Sequence, residues 1–166
     1  TNFVKLIIND SADKAQMAFQ NSSGDYFLLS NSNSGGQGDL DFVVTKTDGL
    51  GESLWSYTYG NSRRDSATSM KPTKDGGVVI CGYTTTSSNN INGFVSKISS
   101  SGALQWSRAL DTDSTEQLFD VVQAFNGEYY ACGYVKTDTL GDNILICKLS
   151  SSGAISWTKS FGGIGD

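Results

Sequence analysis

Three tryptophans stand at equal intervals in the chain: Trp55, Trp106 and Trp157 are each 51 residues after the one before. Glycines and lysines keep the same step, at Gly51, Gly102, Gly153, Lys46, Lys97 and Lys148. A period near 50 residues is the signature of a repeated supersecondary unit that cannot bury its apolar faces alone. The interval therefore limits the fold to a stack of similar units. It constrains function less, because repeat proteins carry function in loops that differ between copies.

The second copy shows the strand pattern of one unit most clearly. Residues 78–83 form a continuous apolar run, typical of a central strand buried on both faces. The Lys-Asp-Gly-Gly segment before them, 74–77, is a tight-turn signal. Residues 104–110 alternate as a half-buried strand does, and 65–73 and 93–98 complete a set of four. The other copies keep this order, which predicts an all-β chain of four-stranded antiparallel sheets.

Four-stranded units of this size match the blades of a β-propeller. The predicted fold is three blades, at residues 14–64, 65–115 and 116–166, in an incomplete ring. Residues 1–13 are expected to supply one extra strand of a preceding blade, because Val4 falls on the tryptophan position when the step is carried back. Trp55, Trp106 and Trp157 are expected to pack between blades, with a sugar-stacking platform as the alternative. The recurring lysines are expected to lay their stems over the blade edge and keep the ammonium in water.

One motif recurs in all three copies: Lys-x-(Asp/Ser)-x-x-Gly, followed four residues later by Trp. In the second copy Asp-Gly-Gly also precedes an apolar strand that ends in Gly-Tyr-Thr, at residues 82–84. In these features the chain resembles the bacterial and protist surface proteins with seven-bladed β-propeller repeats. It is similar, more distantly, to the tryptophan-docking repeats of quinoprotein propellers. The resemblance implies an extracellular or cell-surface location and rarely implies a defined activity.

Composition excludes several classes of function. Charged residues make up 17% of the chain and the net charge is −5, which argues against binding to nucleic acid or anionic membranes. The chain has no histidine, so Ser-His-Asp and Cys-His catalysis and histidine-ligated zinc are excluded. No apolar run approaches the length of a membrane-spanning helix. The sequence predicts no enzyme, no cofactor and no membrane insertion.

The three cysteines, Cys81, Cys132 and Cys147, are odd in number and lack metal-binding spacing. We expect them to be small thiols packed inside the sheets. A cross-strand disulfide between Cys132 and Cys147 is the alternative.

Polar residues recur where the loops of one propeller rim would lie. In a propeller, the loop before the first strand and the loop between the second and third strands share a rim, and such loops often bind ligands. The candidate ligand-binding residues are Asp41, Asp65, Asn92, Glu116 and Asn143. The alternatives are that these side chains bond local backbone amides, or that Asp39 and Asp41 ligate calcium, although no metal site is predicted.

Two asparagines, Asn9 and Asn21, match the N-glycosylation pattern. The match is informative only for a secreted eukaryotic protein.

Three blades are too few to close a ring, since propellers close with roughly 4 to 8. The chain is therefore expected to belong to a longer protein, to pair head to tail with a copy of itself into a six-bladed ring, or to stack into a filament. Unpaired apolar faces at its ends make a partner an expectation. The predicted function is a non-catalytic extracellular or cell-surface module with a structural or adhesive role. A lectin-like module that binds glycans through its rim loops, or part of a larger propeller enzyme, is the alternative.

Overall fold

A computed structural model describes residues 13–86, 90–112, 114–137 and 141–162. This part of the chain is all-β and contains no helix. The predicted extra strand around Val4 and the candidate Asn9 lie outside the described residues. The strands are β1 Asp13–Gln20, β2 Tyr26–Ser32, β3 Asp41–Thr47, β4 Ser53–Tyr59, β5 Asp65–Pro72, β6 Val78–Thr85, β7 Ile91–Ile98, β8 Leu104–Ala109, β9 Thr115–Gln123, β10 Tyr129–Thr137, β11 Gly141–Leu149 and β12 Ile155–Phe161.

The strands form three four-stranded antiparallel sheets, each with its strands in chain order. The first sheet holds β1 to β4, the second β5 to β8 and the third β9 to β12. The prediction of three such sheets is confirmed, and residues 78–82 of β6 are buried as expected of a central strand. The described residues do not form a closed ring.

Register shifts recur at the same places in every sheet. In every sheet, one shift lies in the first strand where it pairs with the second. A further shift lies in the pairing of the third and fourth strands, next to the repeated lysine. A β-bulge increases the local right-handed twist of a sheet. The repeated bulges therefore give the three sheets the same twist, which lets neighbouring sheets stack face to face.

Successive sheets pack through their apolar faces. Strand β5 contacts the first sheet and β9 contacts the second, so the first strand of each sheet lies against the sheet before it. One apolar cluster lies between the first and second sheets: Phe27, Leu29, Phe42, Val44, Ala67, Met70, Val78, Ile80, Phe94 and Ile98. The other lies between the second and third: Val79, Cys81, Val95, Leu110, Leu118, Val121, Tyr129, Ala131, Val135, Leu145, Cys147 and Leu149.

Polar side chains join the sheets at specific points inside these clusters. Asn31 of β2 accepts a hydrogen bond from the Ala67 amide at 2.9 Å and donates to the Ala67 carbonyl at 3.0 Å. The hydroxyl of Thr68 donates to the Leu118 carbonyl at 2.6 Å, and Ser69 donates to Asp120 at 2.6 Å. Apolar contact alone allows sheets to slide, whereas these bonds have strict geometry. They fix the alignment of each sheet on the next.

Two of the repeated tryptophans lie at the junctions between sheets. Trp55 Nε1 donates to the Ser100 carbonyl of the second sheet at 3.2 Å. A Cβ added at Gly102 would stand 3.2 Å from the Trp55 ring, and one at Gly153 would overlap Trp106. Both glycines have a positive φ, near 87° and 82°, in the turn between the third and fourth strands. Each of these indoles therefore covers the glycine turn of the following sheet.

Trp157 contacts an aromatic ring of its own sheet, as Trp55 contacts Phe27. Its ring makes a T-shaped contact with Tyr130 of its own sheet, with centroids 6.2 Å apart. Within the described residues no further sheet follows, so an inter-blade role for Trp157 stays a prediction.

Gly153→Ala should lower the free energy of unfolding by about 2 to 4 kcal/mol, since the added methyl is strained at positive φ and collides with Trp106. Gly127→Ala is the matched control, because Gly127 has a similar φ of 86° but a Cβ there would meet its nearest atom at 3.8 Å. The control should lose only about 1 to 2 kcal/mol. Urea unfolding measures the free energy of unfolding of both variants. Equal losses would show that the packing of Trp106 does not require a residue without a side chain at position 153.

Candidate functional site

The sheet register brings the predicted rim residues to one end of the sheets. Asp65 in β5 pairs with Thr84, and Thr84 pairs with Asn92 in β7. Glu116, Val135 and Asn143 form the corresponding row in the third sheet. All five candidate side chains are buried: Asp41, Asp65, Asn92, Glu116 and Asn143. The rows therefore place the candidates at the same end of their own sheets, within the fold and not on its surface.

The same row in the first sheet reveals a residue that the fixed 51-residue step misses. Asp13 pairs with Ser32, and Ser32 pairs with Asp41. Asp13 is thus the counterpart of Asp65 and Glu116, although the step points to Lys14. The connection between β2 and β3 is one residue longer than in the other sheets, which shifts β1 and β2 by one position. Asp13 itself is exposed.

Asp41 uses its carboxylate on its own loop. Its Oδ2 accepts hydrogen bonds from the backbone amides of Gln37 at 2.8 Å and Gly38 at 3.3 Å. Its Oδ1 is buried without a hydrogen-bond partner. Asp39 is exposed, so the two acids occupy different surroundings. Among the described residues, no three His, Cys, Asp or Glu side chains come together in a way that could hold a metal ion.

Asp65 is held in a similar way. Its Oδ2 accepts the backbone amide of Asn61 at 2.8 Å, and its Oδ1 accepts the Asn61 side chain at 3.2 Å. Burial raises the pKa of Asp65 and the nearby Asp41 adds to that rise, while the hydrogen bonds from Asn61 and Thr84 oppose it. The carboxylate stabilises the connection that enters the second sheet.

Glu116 is the most completely buried acid of the set. Its side chain is fully enclosed, Oε1 accepts a hydrogen bond from the Thr112 hydroxyl, and Oε2 has no partner. Burial raises the pKa of Glu116 to about 7. The Gly93 amide of the second sheet lowers this pKa and the Asp111 carboxylate raises it. Glu116 therefore links the third sheet to the second with a carboxyl group that titrates near neutral pH.

Asp65 and Glu116 each line a cleft between two sheets. A cleft of about 230 Å³ between the first and second sheets contains Asp65 together with Tyr59 and Phe94. A cleft of about 260 Å³ between the second and third contains Glu116 and Lys159. The two clefts occupy equivalent positions in the repeat. Since Asp65 and Glu116 lie in different clefts, they do not form the carboxylate pair that glycoside hydrolysis requires.

The repeated lysines form ion pairs with acids in the turn before the second strand of their sheet. The N–O distances are 2.9 Å for Lys46–Asp25, 2.9 Å for Lys97–Asp75 and 2.8 Å for Lys148–Glu128. The expectation that the ammonium stays in water was wrong for Lys97, which is only 3% exposed and also donates to the Ile98 carbonyl.

Gly77 explains why the second sheet differs in this ion pair. It stands directly before β6, where the other two sheets have Asp25 and Glu128. A Cβ at Gly77 would lie 2.6 Å from Lys97 Nζ. In the second sheet the acid stands two residues earlier, at Asp75, and the Lys97 side chain occupies the space that a side chain at Gly77 would fill. The charge pair is therefore kept while its partner position changes.

The alternative of a disulfide between Cys132 and Cys147 was wrong, because both cysteines are free. Cys147 lies opposite Ala131 and Cys132 lies opposite Ile146, so the two thiols point to opposite faces of the sheet. Cys81 and Cys147 are buried as expected, and burial raises their pKa values to about 12 and about 11. The expectation of a buried thiol was wrong for Cys132, which is exposed.

The glycosylation candidate Asn21 lies in the turn between β1 and β2. Its Oδ1 accepts the backbone amides of Ser23 at 3.0 Å and Asp25 at 2.9 Å. The side chain therefore stabilises this turn.

The third sheet presents an apolar face that no other described sheet covers. We call this the outer face of the third sheet. Asp120, Lys148 and Lys159 also lie on it, as cross-strand neighbours of its apolar residues, which are Phe119, Val122, Tyr130, Cys132, Tyr134, Ile144, Ile146, Trp157 and Phe161. Ile144 is 60% exposed and Phe161 51%. The equivalent positions of the second sheet are enclosed: Cys81 corresponds to Cys132, Val95 to Ile146 and Leu110 to Phe161. The face therefore has the residues of an inter-sheet contact without the contacting sheet.

No protein-family model matches the chain, and a search of curated proteins finds no match. The described residues contain no helix long and apolar enough to cross a membrane.

Glu116→Gln should remove a pH dependence of stability. Between about pH 4.5 and 7, the folded state keeps a proton that the unfolded state releases, so the free energy of unfolding falls as pH rises. Glutamine does not titrate, so the variant should lose this dependence of stability on pH. At pH 8 its free energy of unfolding should exceed that of the wild type by about 1 to 3 kcal/mol. Urea unfolding at several pH values measures this. An unchanged slope would show that Glu116 is ionised in the fold at neutral pH.

Asp75→Asn should destabilise the protein more than Glu128→Gln does. Asp75 neutralises a lysine that is 3% exposed, whereas the lysine partner of Glu128 is 22% exposed and better hydrated. We expect a loss of about 1 to 3 kcal/mol for Asp75→Asn and a smaller loss for Glu128→Gln. Denaturant unfolding at pH 7 compares the two, and the reverse order would contradict the role assigned to burial.

Proposed function

We propose that the chain is a non-catalytic β-propeller module with a structural or adhesive role at the cell surface or outside the cell. It acts by assembling with further β-sheets of its own repeat type. The observation that supports this most is the exposed outer face of the third sheet, where Cys132, Ile146 and Phe161 occupy positions that are buried in the second sheet.

The repeated interface indicates what kind of partner the face fits. Between the second and third sheets, Val79, Cys81 and Val95 lie under the next sheet with no exposed surface. Tyr130, Cys132 and Ile146 present the same arrangement on the third sheet. Burial of apolar surface contributes roughly 25 cal/mol per Å², so covering this face with a similar sheet is favourable. Contiguous exposed apolar patches of this kind mark protein–protein contacts.

The rim offers less support for an enzyme or a lectin. Asp41 and Asp65 accept hydrogen bonds from their own loops, and the buried acids lie in separate clefts. A glycan site needs polar groups that are free to reach outward. Composition supports the proposed location, because the chain draws its polarity from Ser, Thr and Asn and has few charged residues.

A chain lengthened by a second copy of residues 116–166, joined in register after Asp166, tests this function. The added sheet should cover the outer face of the third sheet and raise the free energy of unfolding, as an added repeat does in other stacked proteins. Alkylation followed by peptide mass spectrometry should show Cys132 protected and its counterpart in the added copy reactive. The same lengthened chain with Trp157→Ala in the original third sheet is the control and should gain less stability. Unchanged reactivity of Cys132 would contradict the proposal.

A further inference from the structure

We propose that the sheet covering the outer face of the third sheet is the first sheet of a second copy of this chain, with Trp157 of one copy seated on the Gly51 turn of the other. This inference rests on the proposed function, because it names the partner of the same face. It adds a defined site on each side of the contact.

The side that inserts is the outer face around Trp157. In the two contacts within the chain, the tryptophan of one sheet covers the glycine turn that lies 47 residues further on: Trp55 contacts Gly102 and Trp106 contacts Gly153. Trp55 Nε1 also donates to the Ser100 carbonyl, two residues before the glycine. Trp157 has the same position in its sheet, opposite Lys148 as Trp106 is opposite Lys97.

The side that receives is the turn around Gly51. Its φ of 82° equals that of Gly153, and its amide closes the same turn by donating to the Asp48 carbonyl at 3.1 Å. Gly102 is buried beneath Tyr57 and Trp55, and Gly153 is buried beneath Trp106, whereas Gly51 is only half-buried. The first sheet thus carries the receiving turn of the repeat, and Gly51 in this turn is less covered than its two counterparts. The sequence places Val4 at the tryptophan position before this turn, so in the proposed contact Trp157 of the second copy takes the place expected for Val4.

Strand β1 is open in the same way. In β5, the corresponding strand of the second sheet, Ala67 and Met70 are buried in the apolar cluster shared with the sheet before it. In β1 every residue is exposed except Met17 and Phe19, which are half-buried. A preceding sheet would cover β1 as the first sheet covers β5. The third sheet of a second copy has the matching face.

In the proposed dimer the contact is made twice. The two surfaces lie on opposite end sheets, so each copy can insert into its partner and receive from it. Two chains then contribute six sheets, within the roughly 4 to 8 blades at which propellers close. A reciprocal pair of this kind is a symmetric dimer.

Two variants that each remove one side of the contact test this arrangement. Trp157→Ala removes the inserting ring. Gly51→Asn places a side chain where the ring must sit, and asparagine tolerates positive φ better than other non-glycine residues. Neither variant should form dimers with itself. Mixed together they should form a 1:1 heterodimer, because the Gly51→Asn chain keeps an intact Trp157 and the Trp157→Ala chain keeps an intact Gly51.

Cys132 reports which chain inserts. It lies on the outer face, and its counterpart Cys81 is buried by the next sheet. In the mixture, alkylation of Cys132 should slow about tenfold in the Gly51→Asn chain and stay unchanged in the Trp157→Ala chain. Cleavage after glutamate gives a peptide of residues 129–166 that contains both Cys132 and position 157, so its mass distinguishes the two chains. In the wild type, light scattering should give twice the 17.7 kDa mass of one chain, with Cys132 protected.

Two control variants separate loss of contact from loss of folding. Gly24→Asn alters another positive-φ turn of the first sheet, with φ 88° and its nearest atom 3.9 Å from an added Cβ. Phe125→Ala removes a ring that is 99% exposed and lies beside Lys74, on the side of the third sheet that faces the second. Both controls should dimerise as the wild type does. Equal loss of dimer in the controls and the two test variants would overturn the proposed contact.

Other outcomes identify which proposal fails. Variants that still dimerise as tightly as the wild type would overturn the seat of Trp157 on Gly51. Equal protection of Cys132 in both chains of the mixture would show that third sheets pair with each other, and would also overturn it. A wild-type chain that is monomeric at every concentration would exclude a second copy as the partner. The lengthened chain would still gain stability in that case if the proposed function is correct.

Discussion

The structure depends on the burial of one sheet face by the next. A single four-stranded sheet here is apolar on both sides, and neither side can be buried within that sheet. The second sheet shows the result most clearly, because its residues Ile80 and Cys81 face opposite neighbours and both are fully enclosed. Stability in such a stack is approximately a sum of units and contacts between neighbours, so an uncovered end sheet loses one contact. The exposure of Cys132 and Ile144 is the direct consequence.

Polar contacts give this apolar stack one alignment. Asn31 binds the backbone of β5, and Thr68 reaches β9 from a bulge in β5. The tryptophan that covers each glycine turn adds a steric condition, because any side chain at Gly153 would overlap it. The same indole cannot cover a turn in another register. The arrangement therefore repeats along the chain with little freedom, and it is this regularity that makes the missing contact of Trp157 informative.

Much of the fold could be predicted from the sequence, because its signals are local. Apolar runs and glycine turns define the strands around Val78 and Gly102 without reference to distant residues. The site was harder to predict. The sequence placed Asp65 and Glu116 in one row with their partners, but it gave no sign that both would be buried. It also missed Asp13, because a single extra residue between β2 and β3 displaces the repeat by one position.

The sequence by itself determined the repeating unit, its four strands and the positions that recur in each copy. Those properties follow from periodicity and turn chemistry within about 50 residues. Only the tertiary structure decided which equivalent positions are covered. Cys81 and Cys132 occupy the same place in their sheets, yet one is buried and the other exposed, because burial depends on whether another sheet lies beside that face. The same physical reason separates Gly153 from Gly51, and Trp106 from Trp157.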